Sequence, residues 1–267
     1  YKRIKMNLDM TQQNALVCGA SQGIGKACAT ALAKQGANVT LFARNKATLE
    51  EVKSSLDTSL GQQHHVLIAD FSEPAQVESA LSNHLEKIQQ IDIVINNTGG
   101  PAPGLASQSE SAQFINAFEQ HLVNNQNIAQ LVLPKMKAQG FGRIINVIST
   151  SVKQPINGLG VSNTIRGAVA SWAKTLANEL GQFNITVNNV LPGATATARL
   201  DAIISGKASK QNISIEQATI NEKATIPMNR FAQPEEFADA VTFLASKSAS
   251  YITGINLPVD GGRTSCL

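Results

Sequence analysis

Short, nearly continuous apolar runs alternate along the chain with longer stretches whose apolar residues recur every three or four positions. The runs Ala15–Cys18, Val39–Ala43, His65–Ala69, Ile91–Ile95, Ile144–Ile148, Ile185–Val190 and Ile255–Val259 predict seven strands. Their lack of apolar–polar alternation predicts a parallel sheet covered by helices on both faces. The stretches Ile24–Gln35, Lys46–Leu60, Pro74–Gln89, Ser111–Lys137, Gly158–Leu180 and Pro234–Ser246 predict helices, the fourth long enough to carry an interruption. Pro234 falls in a first helical turn, where its missing N–H costs nothing, and Glu235 and Glu236 after it suit the helix dipole. The alternation predicts an α/β fold, a single-domain, Rossmann-type doubly wound parallel sheet spanning residues 15–267, after an N-terminal extension over 1–14. One segment breaks the rhythm. Residues 194–227 are polar, rich in Ser, Lys and Gln, with only short helical patches, and read either as a lid over a site or as a solvated excursion.

Composition narrows the class. With 43% hydrophobic and 15% charged residues in 267, the chain can bury a sizeable core. A dispersed net charge of +3 speaks against a nucleic-acid partner, and no apolar run approaches the roughly 20 residues needed to cross a bilayer. Tyr1-Lys2-Arg3-Ile4-Lys5 is basic, but no apolar core follows it as an export signal requires, and Met6 is a candidate start. Cys18, Cys28 and Cys266 are odd in number and unpaired in spacing, which suits a reducing compartment. His64, His65, His84 and His121 form no metal-ligand pattern. A metal-free cytoplasmic protein with neither nucleic-acid nor membrane partners is expected.

Candidate chemistry begins with Gly19-Ala20-Ser21-Gln22-Gly23-Ile24-Gly25, which links the first strand to the first helix. Glycines permit a tight turn and close backbone approach, and a helix N-terminus presents free N–H groups to a pyrophosphate. Arg44 follows the second strand, where an acidic residue would accept bonds from a ribose hydroxyl. Arginine there offers charge-assisted bonds to the 2′-phosphate of NADP, so NADP(H) is expected in preference to NAD(H). Asp70, at the end of the third strand, reads either as a partner of the adenine amino group or as a helix-initiating acid. Asn96-Asn97-Thr98-Gly99-Gly100-Pro101 ends the fourth strand in a polar turn suited to meeting a ribose or to securing the sheet.

With these segments, and with Gly142-Arg-Ile-Ile-Asn-Val-Ile-Ser149, Pro192-Gly193 and Val259-Asp-Gly-Gly262, the chain resembles the classical short-chain dehydrogenases/reductases. The likeness is greatest to 3-oxoacyl-(acyl-carrier-protein) reductase-like members and runs from about Ala15 to Gly262. It implies a dinucleotide at the C-terminal ends of the strands, held by Gly19, Ser21, Gln22, Gly23, Ile24, Gly25, Arg44, Asp70, Phe71, Asn97, Thr98, Gly99, Arg166, Pro192, Gly193, Thr195 and Thr197. It also implies a homotetramer or homodimer. Cys18 stands where the family usually has threonine.

The catalytic positions depart further. Ser149 matches the serine that bonds the substrate carbonyl. Thirteen residues on, the family's tyrosine is Ser162; four further, its lysine is Arg166; and before Pro134 its asparagine is His121. Tyrosine suits proton donation because its pKa near 10 can be lowered by a neighbouring ammonium, whereas a serine hydroxyl is a much weaker acid. Arginine keeps its charge but does not exchange a proton. The two tyrosines, Tyr1 and Tyr251, lie far along the chain from this segment. His121, with a reference pKa near 6.5, reads either as a replacement relay through water to Ser149 or as a packed helix residue. Lys153 reads as a second approach to the pocket or as a surface lysine, and Trp172 as core or subunit contact. The resemblance implies an NADP-dependent oxidoreductase that reduces a small-molecule or thioester carbonyl, 3-oxoacyl or another ketone, by a non-standard proton relay. Two other readings stay open: an NADP-binding sensor or complex subunit without redox turnover, and a non-redox lyase or isomerase.

Overall fold

The computed structural model describes residues 6–266. Its strands are β1 (Asn14–Cys18), β2 (Asn38–Ala43), β3 (His65–Ile68), β4 (Ile93–Asn96), β5 (Gly142–Val147), β6 (Ile185–Pro192) and β7 (Asn256–Val259). The helices are α1 (Gly23–Lys34), α2 (Lys46–Ser54), α3 (Pro74–Ile88), α4 (Ser111–Phe118), α5 (Asn124–Gln139), α6 (Gly160–Leu180), α7 (Ala198–Gln211), α8 (Ile215–Ala224) and α9 (Pro234–Ala245). All seven strands lie parallel in one sheet, ordered β3-β2-β1-β4-β5-β6-β7. The doubly wound expectation holds. Succession runs outward from β1 to β3, then restarts at β4 on the other side of β1. That reversal opens a crevice at the C-terminal ends of β1 and β4, the place where such sheets bind ligands.

Consecutive strand residues point to opposite faces, so each strand feeds two cores. Val17, Leu41, Ile95, Ile145 and Val190 pack with Leu32 of α1 and Phe237 and Val241 of α9. Leu16, Phe42, Val94, Ile144 and Val187 pack with Leu81 of α3, Ile128 of α5 and Leu176 of α6. This is why the strands read as continuous apolar runs.

One row across the sheet is polar. Asn96, Asn146, Asn189 and Asn256 are register partners on β4 to β7. Each amide donates to the next: Asn96 to Asn146 at 2.8 Å, Asn146 to Asn189 at 2.9 Å, and Asn189 to Asn256 at 2.8 Å. A lone buried amide would be costly; the ladder gives each amide a neighbour and ties β4, β5, β6 and β7 together, leaving the Asn96 carbonyl oxygen as its one buried atom without a partner.

Two expectations are corrected, and the interruption expected in the fourth helix is found. The second helix stops at Ser54, six residues early, because Asp57 and Gly61 build a turn: Ser59 N donates to Asp57 Oδ1 and Gly61 N to the Thr58 carbonyl. The fourth breaks into α4 and α5 around a π-helical turn at Glu119–Val123. The segment 194–227 is neither irregular nor merely solvated. Asn212, at φ +52°, ends α7, and the Ser214 hydroxyl caps α8 by accepting from Gln217 N at 3.0 Å. Leu200, Ile204 and Ala208, spaced four apart on α7, pack against Ala218 in a small separate core. Lys207 and Arg263 converge on the buried carboxylate of Glu222, joining α7 and α8 to the C-terminal segment.

Candidate active site

The β1–α1 turn is built for close approach. Gly19 and Gly23 hold φ of +60° and +54°, and a Cβ on Gly25 would stand 2.1 Å from the Gly19 carbonyl oxygen. α1 begins with no side-chain cap and no acidic residue in its first turn, so its leading N–H groups are free for an anion. From the loop before α7, the methyl of Thr197 lies 3.2 Å from where a Gly23 Cβ would be. These features fit a dinucleotide pyrophosphate by shape and charge. At the β6 end, Thr195 Oγ1 donates to Gly193 O and Thr197 Oγ1 to Thr195 O, fixing the loop that follows Pro192.

Several expected contacts take other work. Asn97 donates its amide to the carbonyls of Cys18 and Gly19, 3.3 Å each, so its side chain pins the glycine turn. Phe71 turns its ring edge-on to Phe42 in the core, 5.0 Å between centroids, while its carbonyl accepts from Asn124 at 2.7 Å. Arg44 and Asp70 come together at 3.5 Å on the open rim, with the guanidinium largely in solvent and able to meet a phosphate. The Ser72 backbone and hydroxyl, which both donate to Asp70, hold its carboxyl below the usual range, and Arg44 adds to this.

Ser149 leaves β5 and caps the short turn Thr150–Val152, its oxygen accepting from Ser151 N at 3.0 Å. Its own O–H therefore remains free to donate. On α6, Ser162 and Arg166 lie one turn apart, 8% and 7% exposed. Arg166 Nη1 donates to the Val147 carbonyl at 3.0 Å, while its Nε is buried without a partner. No carboxylate of the described residues pairs with it. Burial and the nearby charge of Arg199 lower its pKa to about 10, still far above any working pH.

His121 sits inside the π-helical turn, 2% exposed. Such turns widen a helix locally and recur at functional sites. Its Nδ1 shares a hydrogen bond of 2.5 Å with the Thr98 hydroxyl, and its Nε2 is buried and unpartnered. Burial first, then the charges of Arg166 and Arg199, push its pKa down to about 2. The expected near-neutral titration is thereby corrected: the ring is neutral and cannot store a proton at working pH. The Thr98 hydroxyl is engaged by the imidazole.

Sequence reasoning missed Arg199. It occupies the second position of α7 and reaches back across the mouth, Nη1 meeting the Gly100 carbonyl at 3.4 Å. Its only sequence signal was its place two residues beyond Thr197. The expected bystanders fall aside. Lys153 accepts from Cys266 through its carbonyl at 3.6 Å, and the Trp172 indole donates to Gln126 at 2.8 Å, tying α6 to α5. Tyr251 is fully exposed ahead of β7, at the opposite end of the sheet; Tyr1 lies outside the described residues. Burial raises the Cys18 and Cys28 thiols to about 12, removing them as nucleophiles. Among the described residues no His/Cys/Asp/Glu group could hold a metal ion, and no helix is long and apolar enough to cross a membrane.

Comparison with known proteins agrees with this geometry. Residues 19–264 match the family model described as enoyl-(acyl carrier protein) reductase. The chain is 32% identical over 254 residues to the NADPH-dependent reductase BacG of Bacillus subtilis, covering 95% of this chain and 98% of that protein. It is 33% identical over 250 residues to the 3-oxoacyl-(acyl-carrier-protein) reductase FabG of Vibrio cholerae, covering 93% and 96%. Among solved structures, L-sorbose reductase from Gluconobacter frateurii, complexed with NADPH and L-sorbose, superposes with a TM-score of 0.92 at 29% identity, covering 98% of this chain and 100% of that one.

Proposed function

The chain belongs to the classical short-chain dehydrogenase/reductase family, and from that footing we propose that it is an NADPH-dependent carbonyl reductase working without the tyrosine acid. One observation carries the reading. Beside an intact glycine cradle, the free Ser149 hydroxyl, the charged Arg166 guanidinium and the neutral His121 imidazole gather where β4 and β5 end.

A bound nicotinamide supplies hydride. The protein's part is to hold the carbonyl and manage the charge that develops on its oxygen. Ser149 donates its free O–H to that oxygen, and the Ser162 hydroxyl, which has no protein partner, offers a second donor. Arg166, held against β5, stabilises the developing alkoxide electrostatically in a water-poor pocket, an effect worth about 3 kcal/mol for a comparable oxyanion donor. His121, oriented by Thr98, accepts a bond on Nε2 from a water; that water gives a proton to Ser149 Oγ as Ser149 gives its own to the alkoxide, and solvent re-protonates the water, so the imidazole stays neutral. Arg44 takes the 2′-phosphate and Asp70 the adenine. Gly99, Pro192, Gly193, Thr195 and Thr197 border the nicotinamide half. The NADPH dependence of BacG and the NADPH in the sorbose reductase complex support the same cofactor here.

Titration with NADPH and NADH, followed by turnover on a carbonyl panel, tests the reading. NADPH binds at least about tenfold more tightly than NADH, and Arg44→Ala removes the preference. Ser149→Ala and His121→Ala both lose turnover; full activity in both overturns the relay. Binding of neither nucleotide overturns the whole proposal. The serine at 162 favours one further reading, an NADPH-binding sensor. It requires NADPH to raise the melting temperature while no carbonyl is consumed.

A further inference from the structure

The charges around the crevice are one-sided. Arg166 is buried, keeps its charge, and has one carbonyl acceptor and an orphaned Nε. Arg199 arrives from the lid and rests on Gly100 with a single long contact to a carbonyl. The register brings the two cations to one place. Asn96 on β4 pairs with Asn146 on β5, so the loop bearing Thr98 and Gly100 leaves the sheet beside the loop bearing Val147 and Ser149. His121, bonded to Thr98, feels both guanidinium charges, and no acidic group acts on it or on Arg166. Elsewhere in this fold paired cations do have an anion: Lys207 and Arg263 share Glu222, and Arg230 holds Glu236 through two bonds of 2.7 Å.

We propose that Arg166 and Arg199 clamp a carboxylate of the substrate, making this protein a reductase of oxo acids whose carboxylate lies close to the reacting carbonyl. The clamp rests on the reductase reading above. Arg166 bonds Val147, two residues before Ser149, and lies one helical turn from Ser162. An anion reaching it is therefore held near the carbonyl that Ser149 receives, as in a 2- or 3-oxo acid. Guanidinium forks match the planar carboxylate edge, and a buried unpaired cation gains most from such a partner. Arg199, on the first turn of α7, closes when the anion arrives, so substrate charge also draws the lid across the crevice. The pyrophosphate has its own seat on the α1 turn beside Thr197 and does not use the pair.

The test is direct binding, with and without saturating NADP+, of malonate, its neutral diamide and inorganic phosphate, read by calorimetry and melting temperature. Malonate binds at least about tenfold more tightly than the diamide, and Arg199→Ala removes about tenfold of that affinity while changing NADP+ affinity less than twofold. Arg199→Lys keeps part of the affinity, and in turnover the acid is preferred over its methyl ester. Equal binding of malonate and diamide overturns the clamp. So does phosphate binding better than malonate, or an Arg199→Ala loss that falls equally on NADP+, which would assign the residue to the cofactor. Arg199 is exposed, so its variants fold. Absence of NADP+ binding would sink the reductase reading, while malonate binding to the free protein still reports on the clamp alone.

Discussion

Two arginines are buried at opposite ends of β5, and they do different things. Arg143 lies near the strand's start, 2% exposed, and spends three of its five donors, Nε to Ser246 O at 3.3 Å, and Nη1 to Gly142 O at 2.8 Å and Asn184 O at 3.2 Å. Its guanidinium also stacks on Phe141 at 4.3 Å. Arg166 meets the strand's last residue, makes one such bond and leaves Nε bare. Neither has a carboxylate partner, and burial lowers both to about 10. Burial of charge therefore does not mark function by itself. Unspent bonding capacity beside a crevice does, because a fold that only needed to bury the group would have satisfied it.

The comparison is sharpest under exchange. Arg166→Met should lower kcat/KM by about 100-fold or more while leaving the melting temperature unchanged or raised, since an under-satisfied buried charge is removed. Arg143→Met should do the reverse, costing about 3 kcal/mol in urea unfolding through three abandoned carbonyls, with activity per folded molecule kept. An inactive but stable Arg143 variant would break the contrast.

The asparagine ladder, which crosses β5 between the two arginines, gives the next effect. Asn146→Ala cuts the ladder in the middle, stranding Asn96 and Asn189, and should cost about 2–3 kcal/mol by urea titration. Retained stability would show that water replaces the lost amide. A smaller effect concerns acid. His84, bonded to Thr40 at 2.9 Å, is lowered to about 4 by burial, then by His65 and Lys87. The unfolded chain takes a proton near pH 6.5 that the fold refuses, so stability held above 6.5 is lost as pH falls toward 4 and levels off below. His84→Gln should flatten that part of the melting-temperature profile; an unchanged slope would assign it to another group. The smallest concerns the exposed Arg230–Glu236 pair: Arg230→Ala should shift the melting temperature by no more than repeat scatter.

Much of this was legible along the chain. The strand runs and the glycine turn rest on local spacing, and Ser162, Arg166 and His121 stood out through the family resemblance. Boundaries slipped where a side chain chose a local turn, as Asp57 did after α2. The helices α7 and α8 were hidden because exposed Ser, Lys and Gln outnumber the few residues of their small core. The near-neutral titration expected of His121 failed because burial, and then two arginines far away in sequence, lower its pKa.

The sequence by itself determined the layer order and the cofactor cradle, because periodicity and glycine conformation act over a few residues. It also determined that no family tyrosine stands at the expected position. Only the tertiary structure decided that Asn97 pins the turn, that four asparagines form one ladder, and that the charges of Arg166 and Arg199 both act on a buried imidazole. Those facts follow from strand register and from charge acting through space across a buried crevice, where residues separated by tens of positions share one low-dielectric environment.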